Sequence, residues 1–251
     1  MNSTPSSRPR SIILTGSTSP SFNLAAEEYL FSQREDNFLL LYVNAPCVVI
    51  GSNQAALNEV DPDFCAGHSI PILRRLSGGG AVYHDTGNLN YSFIGGKTGD
   101  PLGGRFLDPV TEALHALGVP VAAGVRKDLW LEGCKVSGTA SHLSRGREMH
   151  HGTLLYDVDL RMLSGALNPG RRRDATGRAT PSTPSPVRNI RPYLEARGYA
   201  PEAGRFFRRL ARQLGLPEGV NSAVTFGDEE RAGTVALQRE KYARRSWNYR
   251  M

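Results

Sequence analysis

The residues best suited to chemistry run together at Arg74-Arg75-Leu76-Ser77-Gly78-Gly79-Gly80-Ala81-Val82-Tyr83-His84-Asp85. Three consecutive glycines let backbone N–H groups approach a ligand closely, and the preceding arginines carry permanently charged forks that match carboxylate and phosphate oxygens. An anion site is the functional reading; a tight β-turn with solvated arginines accounts for the same composition equally well. A second run, Lys135-Val136-Ser137-Gly138-Thr139-Ala140, offers one cation, although a lysine on a strand is more often a solvated surface group. His150 and His151 are neighbours, so on a strand they point to opposite sides and cannot easily share a metal; at least one is expected to be a structural hydrogen-bonding residue. Familiar nucleotide motifs fail: no G-x-G-x-x-G follows a strand, and Gly96-Lys97-Thr98 lacks the leading glycine of a P-loop because Tyr91 stands in its place.

These residues need elements to hold them. Ser11–Thr15 reads as a first strand, and a helix opens at Ser21 with apolar positions at Phe22, Ala25, Ala26, Tyr29 and Leu30. Phe38–Val43 and Cys47–Gly51 are β-rich runs separated by Asn44-Ala45-Pro46, which predicts a hairpin and the start of an antiparallel sheet. Ile70–Arg74 enters the triple glycine, Ala81–Tyr83 leaves it, and Asn90–Ile94 is the expected returning strand. Pro109–Leu117 is a helix candidate; Leu129–Glu132 and Lys135–Ala140 form a strand pair turning near Gly133; Gly152–Val158 adds a strand. Residues 168–188, rich in Pro, Thr, Ser and Arg and without apolar periodicity, read as a long loop. Tyr193–Leu194 and Pro201–Leu214 are closing helices, the second with an Arg-rich face.

Composition bounds the classes. The chain has 251 residues, enough to bury one large core, and 39% of them are hydrophobic. No apolar run approaches the ~20 residues of a membrane span and no secretory h-region opens the chain, so the expected location is cytoplasmic, with 1–10 a flexible tail and 11–251 a single domain. Cys47, Cys65 and Cys134 make neither a disulfide framework nor a C-x-x-C pair. A net charge of +6 suits nucleic acid, an anionic cofactor or an acidic protein partner. A non-catalytic nucleic-acid binder is the remote reading, because aromatics interleaved with basic residues on a sheet and a helix-turn-helix are both lacking.

The chain resembles the lipoate-protein ligase and lipoyltransferase family through Phe22-Asn23-Leu24-Ala25-x-Glu27-Glu28, Val48-Val49-Ile50-Gly51, the arginine and glycine run extended to Gly87-Asn88, Lys127-Asp128-Leu129, Lys135-Val136-Ser137-Gly138-x-Ala140, and His150-His151-Gly152-Thr153-Leu154-Leu155. These motifs keep the family's order over roughly residues 11–195. The resemblance implies an α+β fold of the biotin/lipoate-protein ligase kind, a largely antiparallel or mixed sheet flanked by helices. It further implies ATP-dependent attachment of lipoate or octanoate to a lysine of a lipoyl carrier domain, through an acyl-AMP intermediate.

Carried over by motif, Lys135 is the catalytic residue, in contact with both the acyl carbonyl and the α-phosphate. Arg75, Ser77, Gly78, Gly79, Gly80, Ala81, Val82, Tyr83, Asn88, Asp128, Ser137, Gly138 and Ala140 fall on the ATP and acyl-AMP side. Arg75, His84, His151 and Gly152 join Lys135 on the lipoate side, and Asp128 is the candidate Mg²⁺ ligand. The implied partners are lipoyl domains of 2-oxoacid dehydrogenases and glycine-cleavage H-like proteins, with no nucleic acid and no membrane. Long family members continue into a small accessory domain that this sequence does not contain. A separate small accessory protein, activation by this chain alone, or transfer of a preformed acyl group are the corresponding alternatives. Related octanoyltransferases use a cysteine, but strand alternation turns Cys134 away from whatever Lys135 faces, and Cys47 and Cys65 read as packing residues. The 168–188 loop lies where the family closes over the adenylate, and Arg171, Arg172, Arg173 and Arg178 there suit phosphates or an acidic carrier surface.

Overall fold

The apolar run Phe38–Val43 sets the architecture. Leu39 and Leu41 join one core with Val110, Leu114 and Phe206, whereas Phe38, Leu40 and Tyr42 join another with Ala26, Leu30 and Phe31. A strand whose alternate residues are buried on both sides must be covered by other elements on both faces. The computed structural model describes residues 11–97, 106–168, 180–216 and 227–250. The tail 1–10 and the arginines at 171–173 and 178 lie outside the described residues.

In chain order the elements are β1 (Ser11–Leu14), α1 (Pro20–Gln33), β2 (Phe38–Val43), β3 (Cys47–Ile50), α2 (Ala56–Glu59), α3 (Pro62–Gly67), β4 (Ile72–Arg74), β5 (Val82–His84), β6 (Asn88–Gly96), α4 (Asp108–Ala116) and β7 (Ala122–Ala123). They continue as β8 (Leu129–Leu131), β9 (Cys134–Ser137), β10 (Thr139–Ser144), β11 (Arg147–Leu155), α5 (Leu160–Ala166), α6 (Arg191–Glu195), α7 (Ala203–Gln213), α8 (Asp228–Leu237) and α9 (Arg245–Asn248). The main sheet has the order β1-β2-β6-β11-β10, parallel between β1 and β2 and antiparallel elsewhere. A second sheet, β4-β3-β5, is mixed, and a third, β7-β8-β9, is antiparallel. The α+β class with a mixed sheet flanked by helices is therefore as expected.

Two expected pairings are corrected. β2 and β3 do not form a hairpin: β2 pairs with β1 and β6, and β3 pairs with β4 and β5. Likewise β6 does not return along β5 but crosses into the main sheet. The turn residues between these strands redirect the chain from one sheet to the next. The β8–β9 hairpin forms as expected, its turn made by Glu132 and Gly133 with φ of 47° and 76°. Positive φ at both central residues is what a tight two-residue hairpin turn requires.

Helix α1 is capped by Ser19, which accepts from the Phe22 N–H, and starts on Pro20. Its buried face carries Leu24, Ala25, Ala26 and Leu30 but also Asn23 and Glu27, one turn apart. Two polar groups on an apolar face need partners: Asn23 donates to Ser17 O, Val43 O and Asn44, and Glu27 meets His151.

Candidate active site

The glycine run is folded into a loop that closes on β3. A Cβ at Gly51 would overlap the Gly79 carbonyl oxygen, so only glycine allows this approach, and Gly79 itself sits at φ 85°. The two arginines take different tasks from those expected of anion forks. Arg74, 1% exposed, donates to the carbonyls of Gly51, Ser52, Gln54, Trp247, Asn248 and Arg250, tying the C-terminal helix α9 to the loop after β3. Arg75 points the other way and lines the cavity. Its Nε donates to Ser77 Oγ at 3.0 Å, Nη1 to Val49 O at 3.2 Å, and Nη2 to Gly78 O at 2.5 Å and Gly80 O at 2.8 Å. With four contacts already made, a five-donor guanidinium shapes the loop first and has little left to offer a ligand.

Behind Arg75 runs a chain of buried groups. Ser77 Oγ lies 2.6 Å from His151 Nε2, and His151 Nδ1 lies 3.0 Å from the Glu27 carboxylate. The carboxylate accepts, so Nδ1 carries a proton, and Ser77 Oγ, which accepts from Arg75 Nε, links the ring to the guanidinium. Tyr42 donates to the same Glu27. Burial lowers the Arg75 pKa to about 10, with Glu27 and Tyr42 acting in the opposite direction.

Lys135 stands opposite. The chain leaves the third sheet at Ser137, passes Gly138 and enters the main sheet at Thr139, with Gly138 bonded to Thr153 of β11. This crossing sets Lys135 beside Asp128, Nζ to Oδ2 3.4 Å, an ion pair in which Oδ2 is not aligned as a hydrogen-bond acceptor. Burial disfavours the Asp128 carboxylate, but the Trp130 indole N–H and Lys135 outweigh it and hold the group below its ordinary pKa.

A cavity of about 320 Å³ joins these parts, lined by Lys135, Asp128, Gly138, Ala140, Arg75, Gly79, Gly80, Ala81, Val82, His84, His151 and Gly152 among others. Its lining includes exposed residues, Arg126 and Thr183, and buried ones, Leu24, Tyr42, Val49 and His84. A segment after residue 179 straps across it. Ser182 Oγ accepts from Ala81 N–H at 2.9 Å, donates to Glu59, and is reached by Gln54 Nε2 at 3.1 Å. Further on, Lys135 N–H donates to Pro186 O and Arg188 N–H to Lys135 O.

The remaining expected residues stand behind the wall. Tyr83 packs in the second core with Val48 and Ile72, leaving only its backbone to the loop. Asn88 is buried and donates to Asn90, which reaches the cavity in its stead. Ser77 and Gly78 support the wall without lining it, and Ser137 bonds the Tyr91 hydroxyl beneath Gly152. His150, on the opposite strand face from His151, stacks on Phe106 and bonds Ser141. Among the described residues no cysteine lines the cavity, and Cys47 is buried with its thiol pKa raised by desolvation and Asp85. Asn44, Ser182 and Glu59 were not singled out from the sequence, and Glu27 stood in a family motif without a role. For Glu27 the signal was there: a charge on the apolar face of a helix.

The mixed α+β fold and the glycine loop braced by Arg75 against the cavity are those of a protein-modifying ligase domain. Residues 19–214 match the model of the lipoyl protein ligase A/B catalytic domain, and the chain belongs to that family. The lipoate-protein ligase LplJ of Bacillus subtilis is 36% identical over 236 residues, covering 92% of this chain and 70% of that one. A putative lipoate protein ligase from Thermoplasma acidophilum, solved with bound lipoic acid, has a TM-score of 0.77 at 24% identity, covering 96% and 99% of the two chains. A lipoate-protein ligase A solved with ATP has a TM-score of 0.76 at 24% identity, covering 96% and 98%.

Proposed function

We propose that this chain condenses lipoate with ATP to lipoyl-AMP and passes the acyl group to a lysine of a lipoyl carrier domain. The observation that carries the proposal is the cavity's lining: a buried, apolar part at Leu24, Tyr42 and Val49 and an exposed part at Arg126 and Thr183, with Lys135 on the same wall. A medium-length acid lies in the first with its carboxylate at Lys135; a nucleotide lies in the second against the glycine loop and the 180–183 strap. One related structure holds lipoic acid and another ATP, which supports a site for both kinds of ligand.

In the first step a carboxylate oxygen attacks the α-phosphorus and pyrophosphate leaves; in the second the carrier amine attacks the acyl carbonyl and AMP leaves. Both bring negative charges together or build them up, so a fixed cation in a partly dry site lowers the barrier. Lys135 supplies it. Asp128 is the candidate Mg²⁺ ligand: its buried Oδ2 faces Lys135 only at 3.4 Å, outside hydrogen-bond alignment, and Mg²⁺ is held by one or two carboxylates together with substrate phosphates. When bound, the ion would neutralise phosphate charge.

Acyl transfer through a cysteine is the second reading, and the lack of a thiol along the described cavity wall favours ligation over it. The test is incubation with ATP, Mg²⁺, lipoate and an apo lipoyl carrier of the 2-oxoacid dehydrogenase or H-protein kind, reading carrier mass. ATP-dependent lipoylation lost in Lys135→Ala supports the proposal. Modification from acyl-AMP or an acyl carrier but not from free acid would assign this chain the transfer step alone, activation then falling to a separate accessory protein.

A further inference from the structure

Gln54, in the loop after β3, is 2% exposed and does not line the cavity, yet its amide joins two parts of the site. Its Oε1 accepts from the Gly51 N–H at 2.9 Å, and its Nε2 donates to Thr180 O at 3.3 Å and to Ser182 Oγ at 3.1 Å. A backbone donor at one end and a backbone acceptor at the other fix which end is the nitrogen. The backbone around it is pinned as well. Gln54 N–H donates to Gly51 O at 3.2 Å, Ser52 N–H to Ser77 O at 2.8 Å, and Arg74 Nη1 to Gln54 O at 2.6 Å. The same guanidinium holds the Trp247, Asn248 and Arg250 carbonyls, so the loop is a rigid bracket anchored on the C-terminal segment.

Residues 180–183 line the cavity but belong to no helix or strand, so their course is set by bonds to other elements. Thr180 N–H donates to Asn53 O at 3.0 Å and Ser182 N–H to Glu59 at 3.2 Å, while Pro181 between them has no N–H to offer. Ser182 Oγ donates its one proton to Glu59 and accepts from Ala81 N–H and Gln54 Nε2, which fills its capacity. Among the described residues Gln54 is the side chain that bonds on both sides of Pro181. The bracket therefore reaches the strap through one amide nitrogen, and the Ser182 hydroxyl carries the connection on to the glycine loop.

We infer that Gln54 is a positioning residue for the nucleotide: it touches no substrate, but through Nε2 it holds Thr180 and Ser182 where the strap walls the nucleotide part of the cavity. This rests on the ligase reading only for the nature of the ligand there. What the position requires is a hydrogen-bond donor rather than bulk. Gln54→Glu keeps the size but, when ionised, turns an oxygen towards the Thr180 carbonyl; once protonated, the carboxyl regains a donor.

The experiment measures lipoate-dependent exchange of pyrophosphate into ATP, without carrier, for the native chain, Gln54→Leu and Gln54→Glu, each first shown to be folded by its melting transition. In Gln54→Leu the KM for ATP should rise ~3- to 10-fold, the range of one neutral hydrogen bond, with the maximal rate and the KM for lipoate nearly unchanged. In Gln54→Glu a similar rise near neutral pH should shrink, relative to the native chain, as pH falls towards ~5, because burial raises the carboxyl pKa and the protonated form donates. A side chain that only filled space would give no such profile. Amide hydrogen exchange at Thr180 and Ser182, read without ATP, should quicken in Gln54→Leu. An unchanged KM for ATP in folded Gln54→Leu, equal rises in the ATP and lipoate constants, or a Gln54→Glu profile parallel to the native one overturns the inference. If the native chain exchanges no pyrophosphate, the ligase reading falls, and direct ATP titration still decides Gln54: weaker ATP binding with faster amide exchange in Gln54→Leu supports its role, and unchanged values sink it.

Discussion

Lys135 and Asp128 face each other across the third sheet at 3.4 Å, the lysine a quarter exposed and the aspartate buried. The pair keeps a cation on the cavity wall before any anion arrives, and leaves one carboxylate oxygen without an aligned donor. Replacing Lys135 by Ala should lower the rate of ATP-dependent carrier modification at least ~100-fold, the effect of losing a group aimed at developing charge. Asp128→Asn should instead raise the Mg²⁺ concentration for half-maximal rate about tenfold, as expected where the metal has few protein ligands. A rate profile against Mg²⁺ decides; an unchanged midpoint removes Asp128 from the metal.

The chain Arg75–Ser77–His151–Glu27 places a buried cation and a buried anion at its two ends. Removing one member of such a set leaves the other uncompensated. Glu27→Leu should therefore destabilise the protein by about 3 kcal/mol in urea unfolding, even though leucine suits the apolar face of α1. A loss below about 1 kcal/mol would mean that the charge at Glu27 matters little to the fold.

Acid should weaken the fold through His84. The unfolded ring takes a proton near its ordinary value of 6.5, whereas the folded ring does so only at about 3. Between these values the unfolded state binds more protons, so stability rises with pH and is lost as pH falls from 6.5 towards 3. Native protein should lose up to about 1.4 kcal/mol per pH unit more than His84→Phe across that window. Parallel stability curves for the two would refute the assignment.

Glycine is required at 51 by space alone. Gly51→Ala presses a methyl group onto the Gly79 carbonyl, a backbone atom that cannot swing away, and should cost about 1–3 kcal/mol and weaken ATP binding by shifting the loop. Gly67→Ala, in α3 with nothing near the added carbon, should be neutral or slightly stabilising. Thermal melts and nucleotide titration on the two variants test the contrast.

Ser182 ties the strap to the glycine loop, holding Ala81 N–H while bonded to Glu59. Ser182→Ala should raise KM for ATP several-fold with kcat nearly unchanged, since the strap would still be held at Pro186 and Arg188. A fall in kcat alone would place Ser182 in the chemistry instead.

Much of this was legible in the sequence because it is local. Strand period separates His150 from His151 and fixes which side each faces; continuous apolar character in Phe38–Val43 announces burial on both faces; the glycine run marks close backbone approach. The ordered motifs carried the family and the position of Lys135. What the residues alone left open was decided by contacts distant in sequence. Asn44-Ala45-Pro46 looks like a hairpin turn, yet β2 and β3 pair in different sheets, with partners distant in sequence. Adjacent arginines look interchangeable, but one meets the C-terminal backbone and the other the glycine loop. Glu27 and His84 acquire their roles from partners as far as 124 residues away, through hydrogen-bond directions that exist only once three elements have packed. Periodicity specifies which face of an element is buried; which groups meet there depends on how the faces pack.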